Sequence, residues 1–432
     1  MRRMPRLLIV VLILLALTGG TIIAIKFAKG YRPSFKTGRM EGTGLLAANS
    51  VPRGASVFIN NKLTTATDNT LNLPPQDYQI KIAKDGYISW EKTLKLEPEL
   101  VTQTNALLFP AVPNLKPLTF SGAINPTPSP DGQKIVFSVN NATTEDKNGL
   151  YVLDLSDRPF SLNPDPRQIS RTSAKLDLAN SRLVWSPDST QILATVNPGK
   201  TTEINVLLNT GSFNDIAKTT DVTARLPLLL QDWNDTLDKK DQERIHELPE
   251  LLQTAATASA SFSFSPDGEK IIYSPQEAMT IPDSLIPPLP ASSTQKQYRQ
   301  IKPGSLYLYD IKEDRNFYLG AATLPSPSPA SVKSRVKAAT EKIDPVQKLV
   351  NRYQPEALVF FQWFPDSRHI IVVTEAKIII SEYDATNQAV VYAGPFVQNF
   401  AFPWPNGSRL VILASLNGGS NLPPNLYSIN LK

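Results

Sequence analysis

The sequence has 432 residues, 41% hydrophobic and 19% charged, which supplies enough apolar side chain for packed cores and excludes wholesale disorder. It contains no cysteine and two histidines, His246 and His369, which excludes disulfides, thiolate zinc sites, a cysteine nucleophile and a multi-histidine metal centre. The formal charge of +5 invites a nucleic-acid reading, but eight of the 44 Lys/Arg and one of the 39 Asp/Glu fall in residues 1–41. That is +7 at the N-terminus, and the other 391 residues hold 36 basic and 38 acidic groups. No nucleic-acid partner is expected. The 37 prolines argue against long uninterrupted helices and for strands, turns and linkers.

Residues 1–6 form a short basic tail, and Leu7–Ile25 is an unbroken uncharged run of 19 residues. A bilayer core takes about 20 apolar residues of helix, whereas a cleavable signal has an apolar core of about 7–15 and a small-residue cleavage site. Ala24-Ile25-Lys26 does not supply such a site, so an uncleaved single-pass anchor is expected, with a cleaved signal as the alternative. Gly19-Gly20 reads as tolerated small residues, with a helix-packing spot as the alternative. Basic residues flank both ends of the run, so charge favours neither orientation. A six-residue tail holds no domain, so the functional part is expected on the C-terminal side, outside the cytoplasm, after a basic stalk at 26–41.

Residues 42–110 alternate at period two in Tyr78–Ile82 and Thr93–Leu96, and Ser56–Asn60 reads as a strand leading into a tight turn at Asn60-Asn61-Lys62. Asp85-Gly86 is expected to form a primed hairpin turn. Gly42-x-Gly44-x-x-Ala47 superficially fits a dinucleotide fingerprint, but a stalk precedes it and strands follow, so no cofactor is expected there. The series Pro52, Gly54, Ala55, Val57, Ile59, then Tyr78, then Gly86, Tyr87 and Trp90, resembles the PEGA domain. Thr65-Ala66-Thr67 and Gln76-Asp77 depart from the family's Thr-Pro and Pro-Gly. The resemblance implies a small β-sandwich-like module of surface and envelope proteins without catalytic residues, in which Pro52, Gly54, Ala55, Gly86 and Tyr87 are turn and core residues.

From 113 to 432 one hairpin recurs: an apolar strand, a Pro-Asp/Asn-Gly/Ser turn and a second apolar strand. The turns are Pro130-Asp131-Gly132, Pro187-Asp188-Ser189, Pro266-Asp267-Gly268, Pro365-Asp366-Ser367 and Pro405-Asn406-Gly407. Proline presets φ, Asp or Asn caps the turn, and the last position takes the left-handed corner. Third strands follow, as in Leu150–Leu155 and Leu306–Ile311, with fourth strands expected at 315–320 and 389–394. Repeats of this kind imply a β-propeller. The Ser-Pro-Asp-Gly hairpins resemble the TolB-like propeller, which implies protein binding. Leu115–Phe120 can supply the missing strand of the last repeat, which favours five blades; a degenerate sixth is the alternative.

Three insertions interrupt the repeats. Residues 227–258 place Leu228, Leu229, Trp233, Leu237, Ile245, Leu248, Leu251 and Leu252 at helical spacing, with Pro249 breaking the segment. They read as one or two amphipathic helices packed on the propeller, with a partner-binding protrusion as the alternative. Residues 275–303 are a proline-rich surface loop. Residues 321–354 open on Pro325–Pro329 and carry Lys333, Arg335, Lys337, Lys342, Lys348 and Arg352, read as a solvated face with an anionic polymer as the alternative.

Neither a G-x-S-x-G elbow, an H-E-x-x-H pair nor a Walker loop is present in the sequence. The expected fold is mainly β: a transmembrane helix, a PEGA-like β-sandwich and a TolB-like propeller with a helical insertion. The expected function is a non-enzymatic, membrane-anchored bacterial envelope protein that binds or scaffolds protein or cell-wall partners, with no metal, cofactor or catalytic residue. The alternative is a propeller-type hydrolase, peptidase or glycosidase, or its inactive remnant.

Overall fold

A computed structural model describes the chain except residues 1–3, 29, 34–39, 157–164, 174–175, 179, 198–202, 251, 254–260, 284, 288, 290–292, 322–343, 354–359, 398–399 and 417–422. Pro325–Pro329 and four of the basic residues, Lys333, Arg335, Lys337 and Lys342, lie outside the described residues. The chain divides into two units: Met1–Phe109 with Pro287–Lys296, and Pro110–Ile286 with Gln297–Lys432.

The first unit opens with helix α1, Met4–Ala28. Its stretch Leu8–Ala28 is long and apolar enough to cross a membrane, and none of it is buried in protein. Thr18 and Thr21 donate their hydroxyls to the carbonyls of Leu14 and Leu17, so these polar groups are satisfied inside the helix. Space is open around Gly19 and Gly20. The helix stops in a Schellman cap: Gly30 N–H donates to Phe27 O, Tyr31 N–H donates to Lys26 O, and Gly30 takes φ +87°. Gly30 O then accepts from both the N–H and the hydroxyl of Thr43. Arg32–Pro33 pairs antiparallel with Met40–Glu41.

Beyond Thr43 the unit is all β. Four antiparallel strands run in the order Lys62–Ala66, Ser56–Ile59, Asp77–Ala83, Trp90–Lys95. Gly44–Ala48 lies between Asn69–Leu73 and a parallel strand, Val101–Gln103. Alternation works as the period-two pattern requires: Val57, Ile59, Tyr78, Ile80, Ile82 and Trp90 all enter one core. The primed turn falls at Asn60-Asn61, with φ of 50° and 65°, where two positive φ values are needed. Asp85-Gly86 differs from the sequence expectation. Only Gly86 takes positive φ, and Tyr87 N–H returns to Lys84 O, the signature of a type II turn. From the distant stretch assigned to this unit, Gln295 Nε2 donates to Thr93 O at 2.8 Å.

The second unit is a β-propeller whose blades are five described antiparallel sheets. Blade 1 has strands Ile124–Pro128, Lys134–Val139, Gly149–Asp154 and Arg167–Arg171. Blade 2 has three, Arg182–Trp185, Gln191–Val196 and Ile204–Asn209. Its open edge is plugged: the Asn214 amide bonds both the N–H and the C=O of Asn209. Blade 3 comprises Ser261–Phe264, Lys270–Ser274, Ser305–Asp310 and Arg315–Ala321. Blade 4 comprises Phe361–Trp363, His369–Val373, Lys377–Glu382 and Ala389–Ala393. In blade 5, Ala401–Pro403, Arg409–Ala414 and Asn425–Asn430 are completed by Leu115–Pro117, which pairs antiparallel with the last strand. The two ends of the unit thus share one sheet.

Hydrophobic clusters join blade 1 to blade 2, blade 3 to blade 4, and blade 5 to blade 1. The seam between blades 2 and 3 is built differently. Helix α2, Leu226–His246, covers Val184 and Leu193 of blade 2 with Leu230 and Trp233. Past its end, Leu248 and Leu252 join a cluster with Ile271 and Tyr273 of blade 3. Helix α3, Pro345–Tyr353, supplied by the third insertion, adds Val346 and Leu349 to the blade 2 side. Residues of two insertions therefore pack against blades 2 and 3. α2 ends three residues before Pro249, and Glu250, Leu252 and Gln253 are again helical. The second insertion is only partly an exposed loop, because Met279–Thr280 pairs with Gln300–Ile301, and Ile281 and Ile301 are buried.

One glycine is fixed by crowding. A Cβ on Gly149, at φ +151°, would stand 2.0 Å from Ser170 O. Gly149→Ala should lower stability by roughly 2–4 kcal/mol, combining strain with displacement of the outer strand. Chemical denaturation of the variant checks this through a lower midpoint at unchanged slope.

Candidate functional site

The five repeat turns have one geometry. The N–H of the last turn residue returns to the carbonyl three positions earlier: Gly132 to Ser129, Ser189 to Ser186, Gly268 to Ser265, Ser367 to Phe364 and Gly407 to Trp404. The last turn residue has φ between 58° and 75° in every copy. Asp131, Asp188 and Asp267 accept a hydroxyl bond from Ser129, Ser186 and Ser265 at 2.5, 2.6 and 2.5 Å. Each also accepts a backbone N–H two residues on. Asn406 does the latter for Ser408. In blade 4, Phe364 replaces the serine, and Asp366 instead holds His369 Nδ1 at 2.7 Å. The turn carboxylates are thus occupied in holding their own turns. Their tips, Asp131, Asp188, Asp267, Asp366 and Asn406, are exposed, while the residues before the prolines are buried. Of the prolines, Pro130 and Pro266 are exposed and Pro187, Pro365 and Pro405 half-buried.

Where serine takes the glycine corner, it does more than turn the chain. Ser189 Oγ accepts Asp131 N–H of the preceding blade, and Ser367 Oγ accepts Asp267 N–H of its preceding blade, at 3.2 and 3.0 Å. In the same two blades an indole N–H crosses the seam: Trp185 to Thr127 O at 2.9 Å, Trp363 to Ser263 O at 3.2 Å. Blades 1–2 and 3–4 are therefore joined by the same pair of bonds in the same register.

A second ring lies just behind the turns. The first residue of the second strand in each blade is paired in register with a polar residue of the third strand. The pairs are Lys134 with Asp154, Gln191 with Asn209, Lys270 with Asp310, His369 with Glu382 and Arg409 with Asn430. Lys134 Nζ donates to Ser189 O of the next blade. Lys270, almost fully buried, lies 3.6 Å from Asp310 and over the Tyr383 ring of blade 4. Arg409 stacks on Trp404. The shared polar pairing of these five positions escaped the sequence reading. The signal that finds them is a fixed offset, five residues after the residue preceding each turn proline.

The environment shifts Asp188, Asp267 and Asp366 downward. Asp188 lies below its ordinary value because the Ser186 hydroxyl bonds its charged form. Burial works to raise Asp366, but the His369 hydrogen bond and charge outweigh it and lower it. A carboxylate with a lower pKa folded than unfolded stabilises the fold above its unfolded value, about 4, and loses that contribution as pH falls through the folded value. The propeller should therefore lose stability below about pH 4, and Asp188→Asn should flatten that acid limb. Denaturation midpoints collected from pH 7 to pH 2 check both.

In the first unit, Ala55 is buried, Gly54 and Gly86 take φ of 71° and 81°, Tyr87 packs against the core, and Pro52 is half-buried. Of the basic cluster, Arg352 turns inward and pairs with Asp238 and Asp241 of α2, both at 2.7 Å, which joins the two helical insertions; Lys348 is exposed. His246 ends α2, and Leu228 on the same helix is 71% exposed. Leu7 falls within α1, as does Ile25. No group of three or more His, Asp or Glu able to hold a metal occurs among the described residues.

Residues 43–111 match the family model of the PEGA domain. No curated protein matches the chain. Among solved structures, similarity is found to a protein described as TolB from Agrobacterium tumefaciens, at 14% identity and TM-score 0.20, covering 69% of this chain and 72% of that one. TolB from Acinetobacter baumannii follows at 12% and 0.22, covering 83% and 61%. The Cps50 (Swd1) β-propeller domain of Myceliophteria thermophila stands at 10% and 0.26, covering 74% and all of that chain. The propeller assignment rests on the five sheets and their closure.

Proposed function

We propose that the protein is a non-enzymatic, single-pass membrane protein of the bacterial envelope whose PEGA module and propeller present a binding platform to protein or wall partners outside the cytoplasm. The observation that carries this reading is the joint between Gly30 and Thr43, which ties an unburied apolar helix directly to the PEGA module. The propeller supports it in a second way: its recurring acids hold turns, which leaves a rim of exposed tips for contact.

Photo-crosslinking residues placed at Asp131, Asn406 and Leu228 test the platform in cells. Discrete adducts with an envelope protein or wall polymer are expected from at least one surface. Absence of adducts from all three positions, or turnover of a peptide or glycan panel by the purified chain, would contradict it.

A further inference from the structure

We propose that the membrane exit of α1 is a binding site for anionic phospholipid headgroups, formed by Lys26 and Arg32 and framed by Phe27 and Tyr31. The proposal rests on the reading that α1 spans a bilayer. Lys26 Nζ lies 5.7 Å from the centre of the Tyr31 ring, and the Arg32 guanidinium 5.5 Å from that of Phe27. Two cations and two aromatic rings are thus interleaved within seven residues at the end of the apolar stretch. Aromatic rings settle at the headgroup level, so the cations paired with them lie at phosphate depth. Both basic side chains are exposed. The sequence from 26 to 41 carries five basic residues against one acid, Glu41, which stands in register opposite Arg32.

The backbone fixes this arrangement. The Schellman cap sets the direction in which Tyr31 and Arg32 leave the helix, and the Thr43 bonds to Gly30 hold the PEGA module at the same point. The Tyr31 ring also lies beside Gly42, and its hydroxyl bonds Glu99 of the module. One edge of the aromatic frame is therefore held by the folded module, and both cations are exposed beside it.

The test uses the full chain reconstituted into mixed phosphatidylcholine and phosphatidylglycerol vesicles, with spin-labelled lipids reporting which species is held at the protein. A preference for phosphatidylglycerol of roughly tenfold is expected, weakening with salt. Lys26→Gln with Arg32→Gln should bring it to about one, while Lys26→Arg with Arg32→Lys should retain it. Added inorganic phosphate should compete no better than chloride at equal ionic strength; stronger competition would show a free-anion site and overturn the lipid assignment. A chain that floats with the vesicles but shows no preference, or a doubly neutral variant that keeps it, overturns this proposal alone. A chain that fails to float overturns the anchor reading as well.

Discussion

Trp185→Ala should lower the stability of the propeller by about 3–5 kcal/mol, the upper range for a buried aromatic. Trp185 is 1% exposed and packs in the cluster shared by Val136, Leu150 and Val152 of blade 1 and Ile192, Ala194 and Val206 of blade 2. Its removal opens a cavity at a seam and leaves Thr127 O without its indole donor. Trp185→Phe separates the two effects: it keeps most of the ring and loses the bond, for about 1–3 kcal/mol. Trp363 makes the same bond, so Trp363→Phe should cost a similar amount, and the two losses should add because the seams are separate. Ser189→Gly should also destabilise. It relieves a left-handed serine, but Asp131 N–H then loses the oxygen that accepts it. Equilibrium denaturation of these four variants and of the Trp185→Phe/Trp363→Phe double variant measures all of this. Equal losses for Trp185→Phe and Trp185→Ala would assign the whole effect to the bond.

Removing residues 425–432 should abolish the folded propeller outright. This segment is the middle strand of the closing sheet, between Arg409–Ala414 and Leu115–Pro117. It buries Leu426, Ile429 and Leu431, each at most 1% exposed. It also receives Leu118 N–H at Leu426 O, while Asn425 Oδ1 accepts from Thr119 and Gly122. Each buried side chain contributes about 1.5–3 kcal/mol, so three of them with the strand's hydrogen bonds rival the 5–15 kcal/mol that holds a typical domain. Limited proteolysis should cut the shortened propeller throughout, while the PEGA module, whose core draws nothing from blade 5, resists. A protease-resistant shortened propeller would show that the ring does not depend on closure.

The repeat was legible because its turn chemistry is local. Pro-Asp-Gly dictates φ at three consecutive positions, and the apolar strands on either side follow at period two. Closure by Leu115–Pro117 was legible for a topological reason: one repeat lacked a strand and the region just upstream offered one. The helical layer was not. Periodicity marked Leu229 and Trp233 as lying in a helix, but nothing in the spacing says that the helix bridges two blades. Nor does the sequence show that α3 reaches back from a distant insertion, through Arg352, to complete the layer. The cross-seam bonds were half legible. Trp and Ser recur together at Trp185/Ser189 and Trp363/Ser367, and serine in a left-handed corner needs a reason that only the neighbouring blade supplies. Asp85-Gly86 misled because a glycine with positive φ serves type II and primed turns alike; the six-residue connection between the strands decides it.

The central claim is that α1 remains as an anchor with the PEGA module and propeller together on the outer side. The absence of cysteine makes that directly measurable, since a single introduced thiol is the only target for a maleimide. Asn61→Cys, in the exposed PEGA turn, and Leu228→Cys, on the exposed side of α2, should each react with a membrane-impermeant maleimide on intact cells or spheroplasts. The labelled chain should stay in the membrane fraction at full length. Labelling of either position only after permeabilisation, or a labelled chain released into the soluble fraction, would contradict the account.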